Sequence, residues 1–164
     1  MIVSLSVKRL DDLWSPYHVK LWGRYSLSLS HVRWCRKVDF VLPPDAPTCH
    51  EAADAGFLSH AARVAWLMDA YRLDPIQLVA CRDVHPIRDG NHRLAAAIAK
   101  GAETILVDYH GPTDLLDILS GAAPCPWKSD GSYIDHLFAG AWWKKHSANL
   151  PTLGEVDLSQ KEQP

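Results

Sequence analysis

Cysteine is scarce and unpaired in this chain: Cys35, Cys49, Cys81 and Cys125 are its four, with no CxxC pair and no recurring interval. That spacing excludes a zinc ribbon and a dense disulfide framework, so reduced, mostly buried thiols are expected. Cys49, His50 and Glu51 stand together in "TCHEAAD", but consecutive residues point different ways and the second half of a tetrahedral site is missing, so no metal is expected there. Long apolar runs are absent too. Nothing approaches the eighteen or so uninterrupted apolar residues of a membrane span, and the apolar start of "MIVSLSVKRLDDLW" is too short, and too soon followed by charge, to read as a secretory signal. A cytoplasmic location is the expectation. The chain has no glycine-rich Walker sequence, which excludes a P-loop, and no serine or threonine in a triad pattern.

What is present is the composition of one globular domain. At 164 residues, 48% hydrophobic and 22% charged, the chain is long enough for one substantial core and too short for two comfortable ones. Residues 1–150 are expected to form a single domain, and residues 151–164, which contain "LGEVDLSQKEQP" without apolar periodicity, a loose tail. The net charge of -2 is unevenly distributed. Between Lys8 and Lys37 seven basic residues (Lys8, Arg9, Lys20, Arg24, Arg33, Arg36, Lys37) face only Asp11 and Asp12, a local +5 that leaves -7 elsewhere. Trp14, Tyr17, Trp22, Tyr25 and Trp34 interleave with them, so segment 8–37 could follow a DNA backbone and stack bases, or simply be the solvated face of a structural layer.

Hydrophobic periodicity places the elements. "KVDFVLPP" alternates at Val38, Phe40 and Leu42, as a half-buried strand does. "GFLSHAARVAWLMDAYRL" repeats Leu58, Ala61, Ala62, Ala65, Met68 and Tyr71 at helical intervals. Pro75 then admits a strand over Ile76, Leu78 and Ala80, Arg82 and Asp83 make a turn, and Val84 to Ile87 return as a short strand. "DGNHRLAAAIAKG" is a helix started by Asp89 to Asn91 and closed by Gly101, and "ETILVDY" resumes a strand. "TDLLDILSG" and "YIDHLFAGAWWKKH" read as further helices, the last turning Leu137, Phe138 and Trp142 inward. The fold class expected is α+β, a small mixed sheet packed by helices, with a recognisable core over 37–111 and a helical part over 112–150.

The strand-to-helix turn at residues 85–93, "HPIRDGNHR", carries the chemistry. A helix N-terminus presents unpaired N–H groups and partial positive charge, and so attracts anions. Gly90 removes the Cβ that would obstruct a close ligand or a positive φ, and His92 and Arg93 add donors. Arg93 can grip a phosphate by two parallel hydrogen bonds, with Arg88 approaching from the strand before it. Asp89 would cap the helix, orient His92 or Arg93, or hold a magnesium ion bridging to phosphates. The alternative is a plain Asp-Gly turn whose charged residues face water.

The stretch "DPIQLVACRDVHPIRDGNHRLAAAIAKGAETILVDYHG" resembles the N-terminal domain of ParB proteins and the wider ParB/sulfiredoxin-like superfamily, in which a "PI" strand, a hairpin, a turn such as "DGHHR" or "GERR", an Ala-rich helix, a Gly and a strand follow one another. The resemblance covers about residues 37 to 111. It implies a compact ParB/sulfiredoxin-like fold whose strand-turn-helix motif holds nucleotide phosphates. The phosphate-contacting positions would be Gly90, Asn91, His92 and Arg93. Sulfiredoxin has its catalytic cysteine where Asn91 stands, so the likeness does not extend to sulfinic acid repair, and the helix-turn-helix and dimerising tail of a full partition protein would need another hundred residues. A second resemblance is to Fic-type adenylyltransferases, whose loop reads "HPFxxGNGR" between helices; there His85 would be the base, Asp89 would hold magnesium and Arg93 phosphate. Ile87, His92 and the missing second arginine depart from that pattern, and the flanks are β-patterned.

The expected function is therefore nucleotide binding, with hydrolysis or transfer of a phosphate of ATP or CTP. Arg93 and His92 would hold the phosphates, and Asp89 would bind Mg2+ or act as base. Asp45, Glu51 and Asp54 are candidate second acids, whereas His85 and His60 read as structural. The alternatives are a metal-dependent DNase fed by segment 8–37, and a non-catalytic interaction module on the same fold.

Overall fold

The computed structural model describes residues 1–18, 21–22, 26–38, 56–128, 134–156 and 158, with the side chains of residues 56, 57 and 134 outside the description. Its described elements run β1 (Ile2–Ser6), α1 (Val7–Trp14), α2 (Leu29–Lys37), α3 (Gly56–Asp69), β2 (Ile76–Val79), β3 (Ile87–Asp89), α4 (Asn91–Lys100), β4 (Thr104–His110), α5 (Thr113–Ser120) and α6 (Ile134–Ser147), closed by a 3-10 turn at Leu153–Glu155. The class is α+β. One mixed sheet has the order β1-β4-β2-β3: β4 runs parallel to β2, while β1 is antiparallel to β4 and β3 antiparallel to β2.

β4 shows why the sheet holds. Ile105, Val107 and Tyr109 are buried on alternate positions, the period of a strand with one face on a core, and Leu5 of β1 and Ile76 and Leu78 of β2 join them. Helix α4 returns the chain from β3 to β4 and divides its contacts. Leu94 and Ala97 join the sheet core, while Ala95 and Ala96 belong to a second cluster with Val32, Cys35, Ala61, Ala62, Val64 and Ala65 of α2 and α3. Alanine on both sides of that contact leaves room for helices to approach closely. The helix ends at Gly101, φ +68, whose N–H reaches the carbonyls of Ala97 and Ile98.

Several expectations are corrected. The strand expected over 38–42 begins inside a helix end: Lys37 is the last residue of α2 and Val38 its C-cap, while Phe40 and Leu42 lie outside the described residues. β1, for which no strand was expected, takes an outer place beside β4. The returning strand starts at Ile87 and not Val84, because Pro86 has no N–H to give a ladder and offers only its carbonyl, to Val79 N at 2.9 Å. Leu137 and Phe138 are exposed: α6 turns Asp135 and Ala139 inward, with Trp142 half-buried on the same side. Tyr71 lies beyond the end of α3 and is fully exposed. The expected tail starts ordered, since Leu153 N donates to Asp83 Oδ1 at 2.9 Å and Arg82 N to Pro151 O at 3.0 Å. Among the described residues no helix is long and apolar enough to cross a membrane, and Cys35, Cys81 and Cys125 are free thiols.

Candidate site at the start of helix α4

Gly90 is the N-cap of α4 with φ +96 and ψ 17, a left-handed conformation that L side chains rarely adopt. Space forbids a side chain as well: a Cβ there would lie 2.6 Å from Cγ2 of Ile76, in the core. A glycine cap brings no side-chain acceptor, and none is supplied by the other described residues. The first internal bond of the turn is Leu94 N to Gly90 O, 2.9 Å. Among the described residues, no acceptor meets the N–H groups of Asn91, His92 and Arg93. These three amides, at the positive end of a ten-residue helix, are the anion-attracting feature of the junction.

The side chains expected to assist them are arranged differently. Arg93 is only 17% exposed and is held internally: Nη2 pairs with Asp89, and Nη1 donates to Asp74 O at 3.1 Å and Pro75 O at 2.7 Å. Its guanidinium therefore ties α4 to the entrance of β2 and is not a free phosphate clamp. Asp89 is exposed, but its carboxylate is the partner of Arg93. Asn91 turns back to β3, donating Nδ2 to Ile87 O at 3.3 Å, so it offers a ligand its backbone alone, and its Oδ1 is buried without a partner. Arg88, the last residue but one of β3, is exposed.

His92 has neighbours that no local pattern announced. Its Nε2 lies 2.7 Å from Nδ1 of His60, a buried residue of α3. The Trp22 indole lies nearly parallel over both rings, 4.8 Å from the His92 centroid and 5.1 Å from that of His60. Burial first, then His60 and the charge of the exposed Arg63 on α3, push the His92 pKa down to about 3, with Asp89 opposing. The ring is neutral at physiological pH. His60, read as structural from the sequence, is thus the hydrogen-bond partner of a candidate site residue. Arg63 was missed, and Trp22 was named only among the aromatics of segment 8–37, since both come from other helices and turns of the chain.

Asp45, Glu51, Asp54 and the Cys49–His50–Glu51 cluster lie outside the described residues. Among the described residues no group of three or more His, Cys, Asp or Glu is placed to hold a metal ion. Asp89, the carboxylate proposed for magnesium, has Arg93 as its near partner, which does not make a dedicated metal site. His85 lies between β2 and β3, with Nδ1 3.3 Å from Ile87 O and its pKa lowered by burial. The helix-flanked loop of the adenylyltransferase pattern is therefore not the setting of this motif. The described residues of segment 8–37 do not form one basic stripe: Lys8 pairs with the buried Asp12 and Asp135, and Arg9 donates to Ala123 O at 3.3 Å, while Lys20, Arg24 and Tyr25 lie outside the described residues. Helix α2 presents exposed Arg33, Trp34, Arg36 and Lys37, Arg36 in an ion pair with Asp69. A cavity of about 650 Å³ between Tyr109–Thr113 and Asn149–Pro151 opens at the other end of the sheet from the α4 junction, where β2 and β4 finish.

Compared with known proteins, the chain matches no family model, no curated protein and no solved structure.

Proposed function

We propose that this protein binds a nucleotide through the start of α4, in the manner of the ParB/sulfiredoxin-like proteins its motif resembles, with ATP or CTP as ligand. One observation carries the reading: three first-turn amides that meet no acceptor among the described residues, behind a glycine whose φ and packing admit no side chain. A phosphate oxygen is the group that fits such an end, because it accepts several N–H bonds at once and carries the charge the helix favours. His92 adds a neutral ring beside the amides, and the exposed Arg63 and Arg88 add positive charge. Arg93 and Asp89 keep the frame rigid. Hydrolysis or transfer of a phosphate would draw on the same amides to hold developing charge. No step is assigned to magnesium, since the carboxylate at hand is paired.

Calorimetric titration with ATP, CTP and GTP tests this. At a hundredfold excess over Kd, binding to the native state stabilises it by about 2.7 kcal/mol, a rise in Tm of roughly 5–10 °C for a chain of this size. No heat and no thermal shift with any of the three at millimolar concentration would leave the interaction-module alternative in its place. A second reading, DNA binding, has the exposed α2 face of Arg33, Trp34 and Lys37 in its favour. It requires binding that weakens steeply with salt and is lost on Arg33→Ala with Lys37→Ala.

A further inference from the structure

His60 and His92 come from different helices, yet a gap of 2.7 Å between Nδ1 of one and Nε2 of the other is hydrogen-bonding distance. Between two neutral imidazoles that gap holds one proton: two N–H groups facing each other would collide, and two lone pairs would repel. The polarity of the bond therefore dictates the far side of each ring. When His60 Nδ1 donates, His92 Nε2 accepts, and neutral His92 must carry its proton on Nδ1. When the bond runs the other way, His92 Nδ1 is a bare lone pair. That Nδ1 has no partner among the described residues. It is also the ring nitrogen on the backbone side, belonging to a residue whose own N–H is one of the three open amides.

We propose that His60 is a positioning residue that holds His92 in its Nδ1–H form, so that the ring joins the α4 amides as a fourth donor to a phosphate oxygen. The proposal rests on the nucleotide reading above and specifies how that site handles protons. Free imidazole in water prefers its proton on Nε2, which is the wrong nitrogen for this task. A hydrogen bond accepted at Nε2 reverses the preference, just as the partner of one ring nitrogen sets the state of the other in any histidine site. Trp22, lying across both rings, shields the shared proton from water. Among the described residues the charged groups that face His92 are Arg63, Arg93 and Asp89, and the two arginines oppose a second proton on the pair. A donor that stays neutral suits a ligand that must also leave, because its bond to phosphate is weaker than that of a cation.

The test is long-range 1H–15N correlation of the imidazoles in the full 15N-labelled chain at pH 7, with ATP and CTP titrations on the same samples. In the wild type His92 is expected with Nδ1 protonated and Nε2 bare. His60→Leu should move the proton to Nε2 and weaken nucleotide binding roughly threefold to tenfold, the loss of one neutral hydrogen bond. His60→Asn, whose amide nitrogen replaces Nδ1 as donor, should restore both. Should His60→Leu fail to fold, His60→Gln takes its place, since its amide sits near the Nε2 position and misses His92. A wild-type His92 protonated on Nε2, or a tautomer indifferent to His60, overturns the positioning role whatever the nucleotide does. The expected tautomers without binding of ATP or CTP overturn the nucleotide reading, and the donor role with it, while the histidine pairing stands.

Discussion

Replacing Gly90 by alanine tests the junction most directly, because two independent penalties fall on one methyl group. The first is conformational. At φ +96 an L residue lies in left-handed backbone space, a penalty of about 1–2 kcal/mol, partly offset by the 0.4–1 kcal/mol or so that alanine contributes by restricting the unfolded chain. The second is steric. The new Cβ would stand 2.6 Å from Cγ2 and 2.8 Å from Cβ of Ile76, and 3.1 Å from Nε of Arg93. Ile76 is fully buried in β2, so its side chain cannot swing aside, and overpacking of this kind adds about 1–3 kcal/mol. The sum is near 3 kcal/mol, or a fall in Tm of roughly 6–12 °C for a chain of this size. Gly101→Ala is the internal control. It has φ +68 but nothing within 4 Å of the new methyl, so only the first penalty applies and the melt should fall by roughly 2–4 °C. Thermal melts followed by circular dichroism measure both. Equal losses in the two variants would show that Ile76 does not close the space behind Gly90, and the rigid, glycine-only start of α4 would have to be abandoned.

Stability should depend on pH through His92. The folded ring, with its pKa pushed down to about 3, stays neutral while the unfolded chain takes up a proton near 6.5; stability is therefore full above that value and is lost as pH falls towards 3. Between pH 7 and pH 5 the loss should be about 2 kcal/mol in urea melts, and His92→Asn should remove most of it; an unchanged slope in that variant would mean that His92 is not the group responsible. Arg93→Ala should act mainly on the fold, by about 1–3 kcal/mol, because the part-buried Pro75 carbonyl and the exposed Asp74 carbonyl lose their donor. A stable Arg93→Ala protein with weakened ATP binding would return Arg93 to the phosphate. Arg63→Ala and Arg88→Ala, both at exposed positions, should leave the melt within 1–2 °C or so and weaken nucleotide binding about twofold to fivefold each, more at low salt; calorimetry at two ionic strengths would show whether either charge is felt.

Much of the scaffold was legible. α3, β2, α4, β4 and α5 follow from their periodicity, and Gly101 closes α4 where the sequence places it, because a cap or an alternating strand is specified within one turn or a few residues; the N-cap is Gly90 and not Asp89, whose carboxylate pairs with Arg93. β1 was harder, since Val3 and Leu5 find their place only against β4, some hundred residues on. The inward face of α6 was misread because aromatic and aliphatic residues nearly surround that helix, and hydrophobicity alone does not choose among faces when Asp135 is buried and Leu137 is not.

The sequence by itself determined where an anion-attracting helix start could form: Gly90, free to take a positive φ, stands between a strand and a run of helix formers, with Asp89 offered as the cap. Only the tertiary structure decided what stands around that start. It commits Arg93 to Asp89 and two carbonyls, turns Asn91 back to β3, and brings His60, Arg63 and Trp22 to His92. The physical reason is range: backbone conformation is set by a residue and its near neighbours, whereas the partner of a side chain is set by which surfaces meet when helices and strands from distant parts of the chain pack together.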